Sequence, residues 1–129
     1  APNVRAFGLR SKFVHSSHAI PYEKTDLALY VREGNNLRPV LEGLVVYKNN
    51  GEFMSDCEGY TNEVRRSVEI GSSSHHGFAD LIITTRASKM NDAKSGNECV
   101  SKTTHLKKTR ITLTYDGQQY GVPEDLRGY

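Results

Sequence analysis

The sequence predicts an all-β protein, an antiparallel β-sandwich or jelly-roll-like barrel of about seven or eight strands with little helix. Apolar and polar residues alternate over short runs, as in strands that bury one face. Gly, Asn, Asp and Ser separate these runs, and helical periodicity is almost absent. An α+β sheet of the kind found in small ribonucleases is the alternative that these patterns leave open.

Length and composition fit one domain, which we place at residues 1–129 and expect to be a monomer. The apolar fraction is 36%, enough for a modest core. The net charge of +2 neither demands nor excludes a nucleic-acid partner. The longest apolar runs, 44–47 and 81–83, are far shorter than the roughly 20 residues that cross a bilayer. No membrane span is therefore expected.

The first third of the chain divides into an arm and a strand. Residues 1–20 have no sustained periodicity, and we interpret them as an N-terminal arm. Apolar and polar residues then alternate over 26–32, which predicts a strand. The residues that follow, 33–36, have the composition of a turn.

A hairpin is predicted next. Residues 44–48 form its first strand, and Asn49-Asn50-Gly51 favours a tight turn into a second strand at 52–57. Pro39 cannot donate a backbone hydrogen bond, so the segment around it is expected at a sheet edge or a bulge.

Two further strands are predicted at residues 64–70 and 78–86, separated by the Ser- and Gly-rich segment 71–77. Residues 87–108 are the longest stretch without a clean strand pattern. We expect an irregular segment there with one or two helical turns.

The C-terminal part has the strongest hairpin signal, with strands at 110–115 and 118–122 joined by Asp116-Gly117. Side chains beside such a rigid turn reach solvent, and neutral amides there can bind a protein without the desolvation cost of a charge. The residues predicted to contact a protein partner are Gln118, Gln119, Lys107 and Lys108.

Cys57 and Cys99 are the only two cysteines. An even count indicates a disulfide in an oxidising compartment and free thiols in the cytosol. We expect the disulfide, which would close a long loop and stabilise the fold by roughly 4 kcal/mol in the chain-entropy model.

One triple of residues carries potential catalytic chemistry. Glu69, Arg86 and His105 lie on or near successive predicted strands. RNA cleavage at a 2′-hydroxyl uses a base, a cation that steadies the phosphate and an acid. Glu69, Arg86 and His105 could fill these three roles in that order. Glu69 and Arg86 are equally explained as solvent-facing partners across a hairpin. We predict no catalysis and keep the ribonuclease-like activity as the alternative.

Metal and cofactor sites are not expected. His75-His76 and the pair His15 and His18 supply only two neighbouring ligands each, whereas a zinc site needs three or four that converge. A basic run could contact phosphates of nucleic acid, although no aromatic residue for base stacking lies in it. That run contains Lys102, His105, Lys107, Lys108 and Arg110. A carbohydrate-binding module would have to use tyrosines, such as Tyr60, Tyr115 and Tyr120, because Trp is absent.

The whole chain resembles the small secreted avirulence effectors of rust fungi, which infect plants. The resemblance depends on the Ala1-Pro2 start, the two cysteines, the segment His15-Ser16-Ser17-His18 and the β-rich body without a catalytic motif. Residues 112–122 are similar to a hairpin in a member of that group with a cupin-like β-sandwich. The start without a methionine fits a secretion signal that was removed or that lies outside the sequence.

The resemblance implies secretion, translocation into a host cell and binding of a host protein such as a plant immune receptor. It implies no catalysis and carries over no catalytic residue. A sugar-binding cleft retained from the cupin-like fold is a further implication, so a sugar or nucleic-acid ligand stays an alternative to the protein partner.

Overall fold

The computed structural model describes residues 5–15 and 19–127, and it confirms the all-β class. Seven strands are joined in one antiparallel sheet. No α-helix occurs in the described ranges, so the α+β alternative is wrong. The elements are β1 (Ala6–His15), β2 (Tyr22–Glu33), β3 (Asn36–Ser55), β4 (Glu58–His75), β5 (Phe78–Ser95), β6 (Glu98–His105), β7 (Thr109–Leu113) and a 3-10 turn (Glu124–Leu126).

Each strand from β1 to β6 pairs with the next one along the chain. β4 occupies one edge of β5 over nearly its whole length. The other edge is shared, because β7 pairs with residues 81–85 and β6 pairs with residues 88–95. In the described part of the chain, no helix has the length and apolar character needed to cross a membrane.

One half of the molecule, here called the closed end, consists of residues 26–46, 66–85 and 109–127. β3 pairs with β4 only from Tyr47 onward. Before that point the C-terminal segment lies beside β3, where the Tyr120 amide donates to the Val40 carbonyl at 2.7 Å and Leu44 forms a bridge with Arg127. Strand neighbours therefore form a closed circuit around the core.

The core lies in the closed end because both faces of β3 are covered there. Leu44 and Ile83 are completely buried, from β3 and β5 respectively. The other buried members of this cluster are Leu27, Val31, Val40, Leu41, Val46, Leu81, Leu113, Tyr115, Tyr120, Val122 and Leu126.

The other half, called the extended end, consists of residues 47–65 and 86–105. It contains the tips of the β3–β4 and β5–β6 hairpins, and the predicted disulfide Cys57–Cys99 joins these tips. Gly51 and Cys57 are its only buried residues. This end is a single layer held by backbone pairing and one covalent bond.

The turn predicted at Asn49-Asn50-Gly51 is wrong. β3 runs through these residues, and the chain reverses only after Ser55. Gly51 has no positive φ, and its role is steric. A Cβ atom at this position would collide with the carbonyl oxygen of Tyr60 on the paired strand, so glycine allows the two backbones to approach.

The irregular segment predicted at 87–108 is also wrong, because β5 continues to Ser95 and β6 follows after a turn at Gly96. The N-terminal arm predicted at 1–20 is wrong for Ala6–His15, which forms the edge strand β1. β1 and β6 are exposed on both faces. A strand that buries neither face has no reason to alternate, and this is why pattern analysis missed both.

One predicted turn and one predicted bulge are confirmed, and the C-terminal hairpin is confirmed only in part. The turn after Glu33 is confirmed, and Pro39 lies at a bulge opposite Tyr30. The C-terminal hairpin is only partly present: β7 ends at Leu113, and one bridge joins Tyr115 to Tyr120.

Candidate functional site

A cleft of about 580 Å³ crosses the sheet where the closed end meets the extended end. Five strands, β1 to β5, contribute to it. We call it the basic cleft, and its lining residues are Arg10, Lys12, Glu23, Thr25, Val46, Tyr47, Arg65, Arg66, Ser67, Thr84 and Arg86.

Strand register explains why these residues meet. Residues paired across antiparallel strands project from the same face of the sheet. One row of such pairs crosses all five strands, so residues distant in sequence share one surface. In order from β1 to β5, the row is Lys12, Thr25, Tyr47, Arg65 and Arg86.

Positive charge predominates in the basic cleft, where five cationic side chains face one lining carboxylate. That carboxylate, Glu23, lies 3.6 Å from the Lys12 amine. Within the described ranges, Arg10 and Arg86 form no ion pair or side-chain hydrogen bond. Both are exposed, so their guanidinium groups are free to bind an anion.

Arg65 is held in place by its neighbours. Its Nε donates to Glu63 Oε1 at 2.7 Å, and its guanidinium lies 4.8 Å from the centre of the Tyr47 ring. The hydrogen bond to Glu63 and the charge of that carboxylate raise the pKa of Arg65. Because Nε is used, the two terminal nitrogens remain to contact a ligand.

Arg66 forms the inner wall of the basic cleft. Its guanidinium donates to the Val45 carbonyl at 2.9 Å, to Thr85 Oγ1 at 3.0 Å and to the Asp125 carbonyl at 3.4 Å. Burial lowers its pKa from the usual arginine value. These contacts leave a fixed positive charge behind the exposed cations, with no carboxylate bound to it.

A second row of paired residues continues the same face toward the extended end. Glu63 pairs with Ser88, and Ser88 pairs with His105, so the three side chains lie side by side on β4, β5 and β6. They line a smaller cavity of about 300 Å³, together with Asn49, Thr61, Met90 and Thr103.

The catalytic triple considered from sequence is only partly assembled. Ser88 follows Arg86 by two residues on β5, so Arg86 and His105 are diagonal neighbours on one face. Glu69 pairs instead with Ile82, four residues from Arg86, which is about 13 Å along a strand. Glu69 is therefore neither a partner of Arg86 across the hairpin nor part of this group.

The carboxylate that the structure places beside Arg86 and His105 is Glu63. The sequence pattern places the start of this strand at residue 64, one residue too late to include Glu63. β4 begins at Glu58, so Glu63 lies within it.

The residues predicted to contact a protein partner are all exposed. They lie at opposite ends of β7, with Lys107 and Lys108 before it and Gln118 and Gln119 after it. Gln118 and Gln119 belong to a four-residue turn, in which the Asp116 carboxylate accepts hydrogen bonds from the backbone N–H groups of both residues. The two-residue turn predicted at Asp116-Gly117 is therefore wrong.

The remaining sequence candidates are not assembled into sites. No group of three or more His, Cys, Asp or Glu side chains suited to a metal occurs among residues 5–15 and 19–127, and His18 lies outside those ranges. Tyr115 and Tyr120 are buried, with Tyr115 stacked on Phe78, so neither can receive a sugar. Tyr60 is half-buried beneath the amine of Lys89.

Comparison with known proteins gives no match. No protein-family model fits the chain, and neither a curated protein nor a solved structure is significantly similar to it.

Proposed function

We propose that the protein binds single-stranded nucleic acid, with the phosphates held in the basic cleft. The observation that carries this proposal is the convergence of five cationic side chains from three strands, β1, β4 and β5, on one concave surface. The net charge of the whole chain is only +2, so this local excess is a property of the cleft and not of the molecule.

The chemistry of the cleft suits phosphate diesters. Arginine offers planar pairs of donors that match phosphate oxygens, and hydroxyls of Thr25, Ser67 and Thr84 add neutral donors. Tyr47 supplies an aromatic ring within the same row, which a base can use for stacking. The row crosses five strands, or about 19 Å, and therefore spans several phosphates.

Charge removal in the cleft tests the proposal. The double variant Arg10→Gln/Arg86→Gln should bind a fluorescent 12-nucleotide single-stranded RNA at least about 10-fold more weakly at 0.1 M salt, because each charge-assisted hydrogen bond contributes about 1.5 kcal/mol or more. Both side chains are exposed, so the melting temperature should be unchanged.

The matched control is Lys89→Gln/Lys102→Gln, which removes the same charge from the opposite face of β5 and β6. Its affinity for the RNA should stay within about twofold of the wild type. An equal loss of RNA affinity in both double variants would mean that the overall charge, and not the basic cleft, attracts the RNA. Tighter binding of a heparin fragment with the same dependence on Arg10 and Arg86 would assign the cleft to sulfated sugars instead.

A second candidate is a secreted effector that binds a host protein, and the edge strand β1 favours it. Phe7, Leu9 and Phe13 are exposed on one face of β1, opposite the face that carries Arg10 and Lys12. β1 has no second strand neighbour in the described ranges, so its free edge can pair with an extended segment. The disulfide supports an oxidising compartment and hence secretion.

The protein partner is tested by capture from plant tissue with wild-type protein and two sets of variants. Phe7→Ser/Phe13→Ser should lose the captured protein if β1 is the contact surface. Gln118→Lys and Gln119→Lys should lose it if the exposed turn after β7 contributes, since an unpaired charge in an interface costs several kcal/mol. Capture that is unchanged in every variant would exclude both surfaces.

A further inference from the structure

We propose that the face carrying the basic cleft also cleaves RNA, with Glu63 as the general base and His105 as the general acid. This inference depends on the proposed binding of nucleic acid in the cleft and adds a reaction to it. It rests on the juxtaposition of Glu63, Ser88 and His105 in one row, beside Arg65 and Arg86 in the next.

The spacing suits an acid and a base on opposite sides of a phosphate. Glu63 lies on β4 and His105 on β6, and β5 separates them, so their Cα atoms are about 9.6 Å apart at two strand spacings. The side chains shorten this gap and leave room for one phosphate group above Ser88. The smaller cavity, lined by all three residues, provides that room.

The phosphate would be steadied by two cations. Arg86 is a diagonal neighbour of His105 and has no partner in the described ranges, and Arg65 presents its terminal nitrogens next to Glu63. Arginine at this position neutralises the charge that develops on the phosphoryl oxygens in the transition state. Tyr47 lies near the base as well, with its hydroxyl 3.5 Å from Glu63 Oε2.

The reaction balances without a further reactant. The Glu63 carboxylate takes the proton from a ribose 2′-hydroxyl, and the 2′-oxygen forms a bond to phosphorus. The bond from phosphorus to the 5′-oxygen breaks, and the protonated imidazole of His105 gives its proton to that leaving oxygen. The products are a 2′,3′-cyclic phosphate and a 5′-hydroxyl end. Exchange of protons with water restores both side chains.

The experiment measures binding and cleavage on the same samples. Wild-type protein is incubated with a 12-nucleotide single-stranded RNA in the presence of a chelator, and the fragments are identified by mass. We expect fragments that end in a 2′,3′-cyclic phosphate. The DNA of the same sequence should bind but stay intact, because it lacks the 2′-hydroxyl.

Glu63→Gln and His105→Ala should each lower the cleavage rate at least about 100-fold, the usual contribution of an acid or a base. RNA affinity should change by less than threefold in both. His105 is exposed, so its replacement leaves the fold intact even if Glu63→Gln disturbs Arg65. Glu69→Gln and Lys102→Gln are the matched controls and should cleave at the wild-type rate.

The outcomes distinguish failure of this inference from failure of the proposed function. RNA that is bound but not cleaved would overturn this inference and leave the proposed function in place. Cleavage that persists in both Glu63→Gln and His105→Ala would assign the activity to a contaminating nuclease and overturn the inference too. Absence of RNA binding would overturn both this inference and the proposed function.

Discussion

The closed end and the extended end are built from the same three long strands, yet they differ in how those strands are held. In the closed end, β3 is covered on both faces, and side chains such as Leu44 and Ile83 are completely buried. In the extended end, Gly51 and Cys57 are the only buried residues. One sheet therefore passes from a packed core to a single exposed layer.

This difference separates stability from ligand contact. Apolar burial, the main favourable contribution to folding, is confined to the closed end. The extended end depends on backbone pairing and the disulfide, which leaves the side chains of a whole face free for other contacts. The basic cleft lies at the junction, where Arg66 is fixed by the closed end and Arg86 is exposed.

The largest expected effect comes from core deletions. Leu44→Ala should lower the free energy of unfolding by about 2–5 kcal/mol, because the buried side chain leaves a cavity. Met90→Ala in the extended end, where the side chain is 36% exposed, should lower it by less than about 1 kcal/mol. Urea unfolding measures both. Similar values for the two variants would contradict the contrast between the ends.

Removal of the disulfide should have the next largest effect. Cys57 and Cys99 are 42 residues apart in sequence, and the chain-entropy model gives about 4 kcal/mol for such a loop. The double variant Cys57→Ser/Cys99→Ser should speed amide hydrogen exchange mainly in β6, with Val100 as the reporter. A comparable increase at Ile83 would show that the extended end does not open independently.

A smaller, pH-dependent effect is expected at the turn after β7. Hydrogen bonds from the backbone N–H groups of Gln119 and Gln118 hold the pKa of the Asp116 carboxylate below its ordinary value. The ionised carboxylate therefore stabilises the fold above the ordinary pKa of about 3.9, and this contribution is lost as the pH falls through the lower folded value.

Thermal unfolding of Asp116→Ala across pH checks this sign. Its melting temperature should be below that of the wild type at pH 7, and the difference should shrink in acid. Glu98→Ala, which removes an exposed carboxylate in the extended end, is the control. Its melting temperature should equal that of the wild type at pH 7 and in acid. A difference for Asp116→Ala that grows in acid would contradict the assignment.

Sequence patterns predicted the closed end far better than the extended end, and burial explains why. The strand at 26–32 alternates because one of its faces packs in the core. The strand at 78–86 has buried residues on both faces and is marked instead by the apolar run 81–83. β1, β6 and the second half of β5 bury neither face. Their residues were free to be polar, and the alternation that identifies a strand is lost.

The candidate site was partly predicted for a related reason. Arg86 and His105 were identified because a basic residue and a histidine on successive strands suggest phosphate chemistry. The sequence pattern indicates Glu69 as the carboxylate, whereas the strand register selects Glu63, because a pairing register across a bulge cannot be derived from one sequence. Arg10 and Lys12 were missed because β1 was interpreted as an arm.

The salt dependence of RNA affinity reports whether the exposed face at the junction binds phosphates. Each phosphate contact on a single strand contributes about −0.7 to the slope of log K against log salt concentration. With three or more phosphate contacts, we expect a slope of about −2 or steeper for the wild type. Arg10→Gln/Arg86→Gln should flatten this slope by about 1.4. A slope near zero for the wild type, or the same slope in both proteins, would show that this face does not hold the phosphates.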